Sequence, residues 1–222
     1  MTETTAGYLT RPRVRIAVFA REPRLGQVKS RLAAQIGEAA ALAVYQAMLL
    51  RLGTLLGGSN IVEWDLWVTS NPSHENFLSI CYKKNIYKQN GSDLGARMQY
   101  ALQQSLERED TDALILIGTD CPALTKDYLR RAVGALESGS DVVLGPAEDG
   151  GYVLIGARKP FPTLFENISW GTDQVFLETL QRLKDGRISY QLLDTMWDVD
   201  RPEDLPRLLQ LNPPLQWDTS VD

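Results

Sequence analysis

Ala113-Leu114-Ile115-Leu116-Ile117, followed at once by Gly118-Thr119-Asp120-Cys121-Pro122, is the stretch on which the fold turns. Five apolar residues without alternation predict a strand buried on both faces, as a central parallel strand is. Gly118 and Pro122 stop it, and in an open α/β sheet ligands collect just beyond the carboxyl ends of the strands. Asp120 therefore stands where a ligand-facing group belongs. Upstream, Val14 to Ala20 forms a second apolar run that closes in Glu22-Pro23-Arg24-Leu25-Gly26. A long Ala- and Leu-rich helical pattern then runs from about Ser30 to Leu56, broken at Gly37-Glu38 and stopped by Gly57-Gly58. Asp65 to Thr69 and Ile86 to Gln89 read as further strands, the latter closed by Asn90-Gly91, and a helix is predicted from about Leu94 to Arg108. Downstream, Thr125 caps a helix reaching about Leu136. Asp141 to Leu144 and Tyr152 to Ile155 are strands expected to be neighbours. A helix from about Thr172 to Lys184, a short strand at Tyr190 to Leu193 and a brief helix from Pro202 to Leu211 complete the order. Strands alternating with helices predict an α/β fold: a single open, mostly parallel sheet flanked by helices. With 222 residues the expected organisation is one domain, 11–212, between a flexible tail at 1–10 and a second tail at 213–222.

Composition narrows the chemistry. Cys81, Cys121 and the single histidine, His74, are too few for a zinc finger, an iron–sulfur cluster or a disulfide framework. His74 lies in the polar stretch Asn71 to Glu75, and no G-x-S-x-G elbow is present, so imidazole-based nucleophilic catalysis is not expected. Cys121 is read as a small packed hydrophobe, since no histidine near it in sequence could activate it. No run of about 18 apolar residues occurs and the first five residues are polar, so neither a membrane span nor a signal peptide is expected, and the cytoplasm is the expected compartment.

The net charge of −5 is unevenly spread. Residues 11–31 hold seven basic residues against Glu22 alone, a local +6, which leaves −11 for the rest of the chain. An acidic body with one basic segment argues against nucleic acid and for a small anionic ligand. Arg11, Arg13 and Arg15 are read as a solvated edge. Arg21, Arg24, Lys29 and Arg31 belong instead to the loop Ala20 to Leu32, between a strand and a helix whose free N–H groups favour anions. With one glycine, Gly26, this loop is neither a Walker loop nor a dinucleotide fingerprint. Trp197-Asp198-Val199-Asp200-Arg201-Pro202-Glu203 places two carboxylates on one side of an extended chain, a pair able to hold Mg²⁺ through oxygen. Asp200 with Glu203 also reads as a capping box. Two glycine-bearing turns, Gln89 to Met98 and Gly145 to Tyr152, border predicted strand ends, and Thr172 reads as the cap of the helix after Trp170-Gly171.

This ordered set of six motifs, from Phe19-Ala20-Arg21-Glu22-Pro23 with Gly26 to Leu32 through to Asp198 to Leu205, covers nearly the whole chain. It resembles the bacterial GT-A-type transferases labelled radical-SAM/selenodomain-associated or glycosyltransferase-like, a family similar in fold to small-molecule nucleotidyltransferases. The resemblance implies a nucleotide-diphospho-sugar transferase-like fold. It implies that Arg21, Gly26, Lys29, Arg31, Gly95 and Arg97 bind nucleotide and that Asp120, Asp198 and Asp200 hold Mg²⁺ (or Mn²⁺). Lys29, Asp120 and Asp149 would act in catalysis, with Gly150, Gly151 and Thr172 toward a small-molecule acceptor. Arg21 and Ser30 depart from the lysine and threonine expected there, and arginine exchanges a point donor for a planar fork. The expected function is metal-dependent transfer from a nucleotide-diphospho-sugar, with nucleotidyl transfer to a phosphate or carboxylate as one alternative and a non-catalytic nucleotide-binding module as another. Self-association as a homodimer stays open, since one of Trp64, Trp67, Trp170, Trp197 and Trp217 could serve an interface.

Overall fold

The computed structural model describes residues 11–58 and 60–217; the tail expected at 1–10 lies outside the described residues. Among these residues, seven strands form one sheet: β1 (Val14–Ala20), β2 (Trp64–Val68), β3 (Ile86–Lys88), β4 (Ala113–Gly118), β5 (Val142–Pro146), β6 (Tyr152–Ala157) and β7 (Tyr190–Leu192). Their order is β3-β2-β1-β4-β6-β5-β7. The β1–β2, β1–β4, β2–β3 and β5–β7 pairs are parallel, while β6 runs antiparallel to both β4 and β5. The sheet is thus mixed but mostly parallel, and β5 and β6 are neighbours as expected. Because β6 is reversed, the turn joining it to β5 lies at the same edge as the carboxyl end of β4.

Among the described residues, seven α-helices flank the sheet: α1 (Ser30–Ile36), α2 (Glu38–Gly57), α3 (Glu75–Leu78), α4 (Leu94–Leu106), α5 (Lys126–Glu137), α6 (Val175–Asp185) and α7 (Leu205–Leu209). Alternate residues of each central strand face opposite layers. Ile16, Val18, Ile115 and Ile117 pack with Leu49, Leu52, Phe77 and Leu129 from α2, α3 and α5. Ala17, Leu114 and Leu116 pack with Met98, Leu102 and Leu183 from α4 and α6. β4 is buried from Ala113 to Ile117 because both layers need it. A third cluster, Val28, Leu32, Val44, Tyr45, Met48, Val199, Leu208 and Leu215, fastens α1, α2 and α7 over the edge where the parallel strands end.

Several expectations are corrected in detail. α2 is long and apolar enough by length and composition to cross a bilayer, with a mean hydropathy of 1.5 over its best window, although no unbroken apolar run is present. Half of that window is buried, with Leu49 and Leu52 against the sheet and Val44 and Met48 against the third cluster. Arg15 is not part of a solvated edge. Its guanidinium is buried and meets Asp65 at 3.3 Å and Asp110 at 3.0 Å, while Arg108 reaches the other Asp65 oxygen at 3.0 Å. Arg13 behaves as expected, exposed and paired to Asp112 at 2.9 Å. Residues 213–217 do not begin as a free tail, since Leu215 is buried and its N–H donates to the Leu208 carbonyl.

Candidate active site

A cavity of about 670 Å³ opens along the carboxyl ends of β1 to β4 and the β5–β6 turn. Arg21, Lys29, Arg31, Arg97, Asp120, Asp149, Gly151, Asp198 and Asp200 all line it, although they are scattered over 180 residues of chain. The fold brings them together because β1 and β4 are adjacent and parallel, so the loops after Ala20 and Gly118 emerge side by side. The chain from Met196 to Asp200 then crosses that edge, held by the Met196 N–H on Pro146 O and the Val199 N–H on Asp120 O, each at 2.9 Å.

The basic loop is anchored at both ends. At its start the Tyr45 hydroxyl accepts from the Arg21 N–H at 2.9 Å and donates to the Arg21 carbonyl at 2.8 Å. Glu22 is buried and takes hydrogen bonds from Arg24, Ser70 and the Asn71 N–H, tying the loop to the end of β2, and these donors hold its carboxyl below the usual carboxylate range. At the other end Lys29 adopts a left-handed backbone at φ 50 as the residue before α1, strain that a non-glycine residue carries only when its surroundings enforce it. Its side chain is 5% exposed. The ammonium donates to the Val199 carbonyl and lies 2.7 Å from Asp120 Oδ1. A lysine read as one of several loop cations is therefore a buried pin joining three separate segments at the pocket floor.

The acids divide into two groups. Asp200 is engaged by Arg31 at 2.6 Å. It is not the expected cap with Glu203; Asp204 accepts from the N–H groups of Asp200 and Arg201 at 2.9 and 2.8 Å, which leaves the Asp200 carboxylate to Arg31. Asp198 shares its surroundings with Asp149 and Asp120. Burial first, and then those two like charges, push its carboxyl up to about 6, against the pull of Lys29. Hard oxygen donors crowded until one resists ionisation are what a divalent cation would relieve. Among the described residues, however, no three such side chains close on a common point. The donor chemistry, carboxylate oxygens alone, suits a hard divalent cation such as Mg²⁺ or Mn²⁺.

The raised Asp198 value sets a pH dependence. An acid that holds its proton more tightly folded than unfolded takes stability away as pH climbs between its two values. In metal-free buffer Asp198→Asn should therefore gain melting temperature relative to the wild-type protein as pH rises from about 4 to about 6, over and above the slope that carboxylates held below their usual range, such as Glu22, Glu148 and Glu178, give to both. Equal slopes in differential scanning calorimetry would remove Asp198 as the cause.

Four expected site residues lie off the cavity wall. Gly150 has φ 88, and a Cβ there would sit 2.3 Å from the Asp173 carbonyl oxygen, so close backbone packing explains this glycine. Gly95 likewise makes room for the Trp170 ring and the Phe165 carbonyl at the start of α4. Gly26 turns the loop at φ 71 against Glu38. Thr172 does not cap α6, which starts at Val175; it accepts from the Gln174 N–H at 3.3 Å and shapes the preceding turn. Cys121 is buried beside the pocket and its thiol is pushed up to about 12, in line with a packing role. Tyr45, Thr69 and Tyr152 also line the cavity and were not singled out in the sequence, because neutral residues at strand ends and in helices carry no charge signal.

The family model described as "uncharacterized protein conserved in bacteria" (DUF2064) matches residues 57–172, just over half of the sequence. The chain belongs to DUF2064. That match takes in the Gln89 to Met98, Gly118 to Pro122 and Gly145 to Gly156 motifs, while the basic loop and Asp198 lie outside it. No curated protein matches the chain. Among solved structures, the DUF2064 chain resembles a protein from Desulfovibrio desulfuricans G20 provisionally described as a nucleotide-diphospho-sugar transferase, at 27% identity and TM-score 0.82 over 94% of this chain and 92% of that one. It also resembles CMP:2-keto-3-deoxy-manno-octonic acid synthetase complexed with CTP, at 11% identity and TM-score 0.56 over 90% and 98% of the two chains. A third likeness is Rv0371C from Mycobacterium tuberculosis H37Rv in complex with manganese, at 17% identity and TM-score 0.51 over 90% and 99%. The first supports the GT-A-like reading of the fold, and the other two share that fold. The radical-SAM label has no counterpart among these likenesses.

Proposed function

We propose that this DUF2064 protein is a metal-dependent, nucleotide-using transferase of the glycosyltransferase type, taking a nucleotide-diphospho-sugar or related activated donor and a small-molecule acceptor. The observation that carries the reading is the cavity itself. One pocket at the carboxyl edge of the sheet gathers Arg21, Lys29, Arg31 and Arg97 together with Asp120, Asp149 and Asp198, with Lys29 and Asp120 in direct contact. Cations suit a diphosphate, and the carboxylates suit both a divalent ion and a base for an alcohol acceptor.

In this reading Arg21 and Lys29 face the phosphates, with Arg31 oriented by Asp200. Asp120 and Asp198 would hold Mg²⁺ or Mn²⁺ together with phosphate oxygens, consistent with a cation that commonly uses one or two carboxylates plus its ligand. A divalent ion bound there would neutralise charge developing on the leaving diphosphate. Asp149, on the β5–β6 turn, would take the proton of the acceptor hydroxyl, its carboxylate oriented by the Gly151 N–H, which donates to Asp149 Oδ1 at 2.9 Å. Gly150 and Thr172 shape the acceptor side of the turn rather than touching its contents.

A second reading, nucleotidyl transfer to a phosphate or carboxylate, is favoured by one feature. The Lys29 ammonium is already fixed 2.7 Å from Asp120, and an ionised nucleophile attacking phosphorus needs positioned charge and no base.

Thermal shift with nucleotide-sugars and nucleoside triphosphates, each with and without Mg²⁺, separates the two. A ligand at 100 times its Kd adds roughly 2.7 kcal/mol to stability. The largest rise is expected with a nucleotide-sugar and Mg²⁺ together. A rise with triphosphates alone would transfer the assignment to nucleotidyl transfer, and no rise with either class would end the transferase reading.

A further inference from the structure

The two acid-bearing segments of the cavity wall present alternate residues to opposite sides. Ala147, Asp149 and Gly151 of the β5–β6 turn line the cavity, as do Asp198 and Asp200, whereas Glu148, Trp197 and Val199 do not. The segments run side by side, the Met196 N–H donating to Pro146 O and the Glu148 N–H to Met196 O, each at 2.9 Å. This pairing is a single bridge, between Ala147 and Met196. It brings Asp149 close enough to Asp198 for the two carboxylates to repel. Two hydrogen bonds are a slender tie for segments that carry opposing charges.

Arg207 supplies a second tie from behind the wall. It projects from α7 and does not line the cavity. Its Nη1 and Nη2 donate in parallel to the two Glu148 oxygens at 2.7 and 2.8 Å. The same guanidinium sits over the Trp197 ring, 4.4 Å from its centroid. A planar fork can offer its edge to a carboxylate and its face to an aromatic ring at once, which a lysine cannot. Each contact is one residue removed from an acid of the site, since Glu148 precedes Asp149 and Trp197 precedes Asp198. The base of the clamp is firm, because Leu208 of α7 and Val199 are both fully buried in the third cluster, against which Trp197 also packs. An ion pair as exposed as this one contributes little to global stability, so its effect lies in geometry.

We propose that Arg207 is a positioning residue: by gripping Glu148 and Trp197 together it fixes the spacing of Asp149 and Asp198 on the cavity wall. This rests on the transferase reading given above, in which Asp198 helps to hold a divalent ion, and adds to it the residue that sets where that carboxylate stands. The sign of one measurement separates positioning from charge. The positive charge of Arg207 reaches Asp198, so charge alone predicts that removing it tightens the binding of a cation. Loss of positioning predicts weaker binding.

The test reads Mn²⁺ affinity from the paramagnetic resonance signal of the free ion, with and without UDP, and amide hydrogen exchange by mass spectrometry. It compares the wild-type protein with Arg207→Met and Arg207→Lys. Both variants are expected to bind Mn²⁺ about tenfold more weakly. Peptides containing Glu148 and residues 196–199 should exchange faster, while those from β1 and β4 keep their protection. A folded Arg207→Met with unchanged or tighter Mn²⁺ binding, or with unchanged exchange at these peptides, overturns the proposal and leaves the ion pair as a surface contact. If Arg207→Met does not fold, Arg207→Lys decides, since it keeps the charge and loses only the fork; wild-type affinity there overturns the proposal. Absence of Mn²⁺ binding by the wild-type protein, with UDP or without, overturns the metal site itself, so the two failures are distinguished by the protein that shows them.

Discussion

Asp120→Asn should cut Mg²⁺-dependent nucleotide affinity by roughly a hundredfold while leaving a folded protein. Asparagine keeps the shape but supplies no charge to a cation, and it also releases the Lys29 ammonium from its carboxylate partner. The cost in stability stays moderate, because Asp120 is half exposed and Lys29 keeps the Val199 carbonyl, with Asp198 close by. Calorimetric titration with and without Mg²⁺ reads the effect directly. If the variant retained the full metal-dependent increment, Asp120 would leave the ligand set, and its role would shrink to seating Lys29.

Asp65→Asn should lower stability by roughly 3–5 kcal/mol, a fall in Tm on the order of 10 °C. Asp65 is fully buried between the Arg15 and Arg108 guanidinium groups, and burial raises its carboxyl above the usual range even against both arginines. Desolvation therefore consumes most of what the ion pairs contribute, so the intact network adds little net stability. Its removal is another matter. Asparagine would leave Arg15, itself buried, facing a neutral amide with only the half-exposed Asp110 as counterion. A loss under about 1 kcal/mol in urea melts would mean that water reaches the network, contrary to its packing.

The sheet was legible in the sequence wherever a strand is covered on both sides. β1 and β4 announce themselves as unbroken apolar runs, and the helix break at Gly37 shows as a glycine at φ 86 between α1 and α2. The direction of β6 was not legible, since Tyr152 to Ala157 has the same composition whichever way it runs; only its pairing with β4 and β5 reveals the reversal. Arg15 was misread for a related reason. Three arginines at alternate positions look like one face, but entry into β1 carries Arg15 into the sheet beside Asp65, a partner 50 residues away. Within the site, the charged members were readable because charges just past strand ends have few structural uses. What each touches was not, because those contacts are set by long-range register. Lys29 is one example, and Asp200, freed from capping by Asp204 four residues on, is another.

The Lys29 clasp also bears on the order in which the molecule comes into being. Lys29 and Val199 are separated by 170 residues. A ribosome adding roughly 5–20 residues per second spends about 10–30 seconds between them. Throughout that interval the basic loop has neither its carbonyl latch nor Asp198 and Asp200 across from it. A nascent chain therefore carries the basic half of the pocket long before the acidic 198–200 segment emerges, and the cavity is closed by a late, single event in synthesis rather than growing with the sheet.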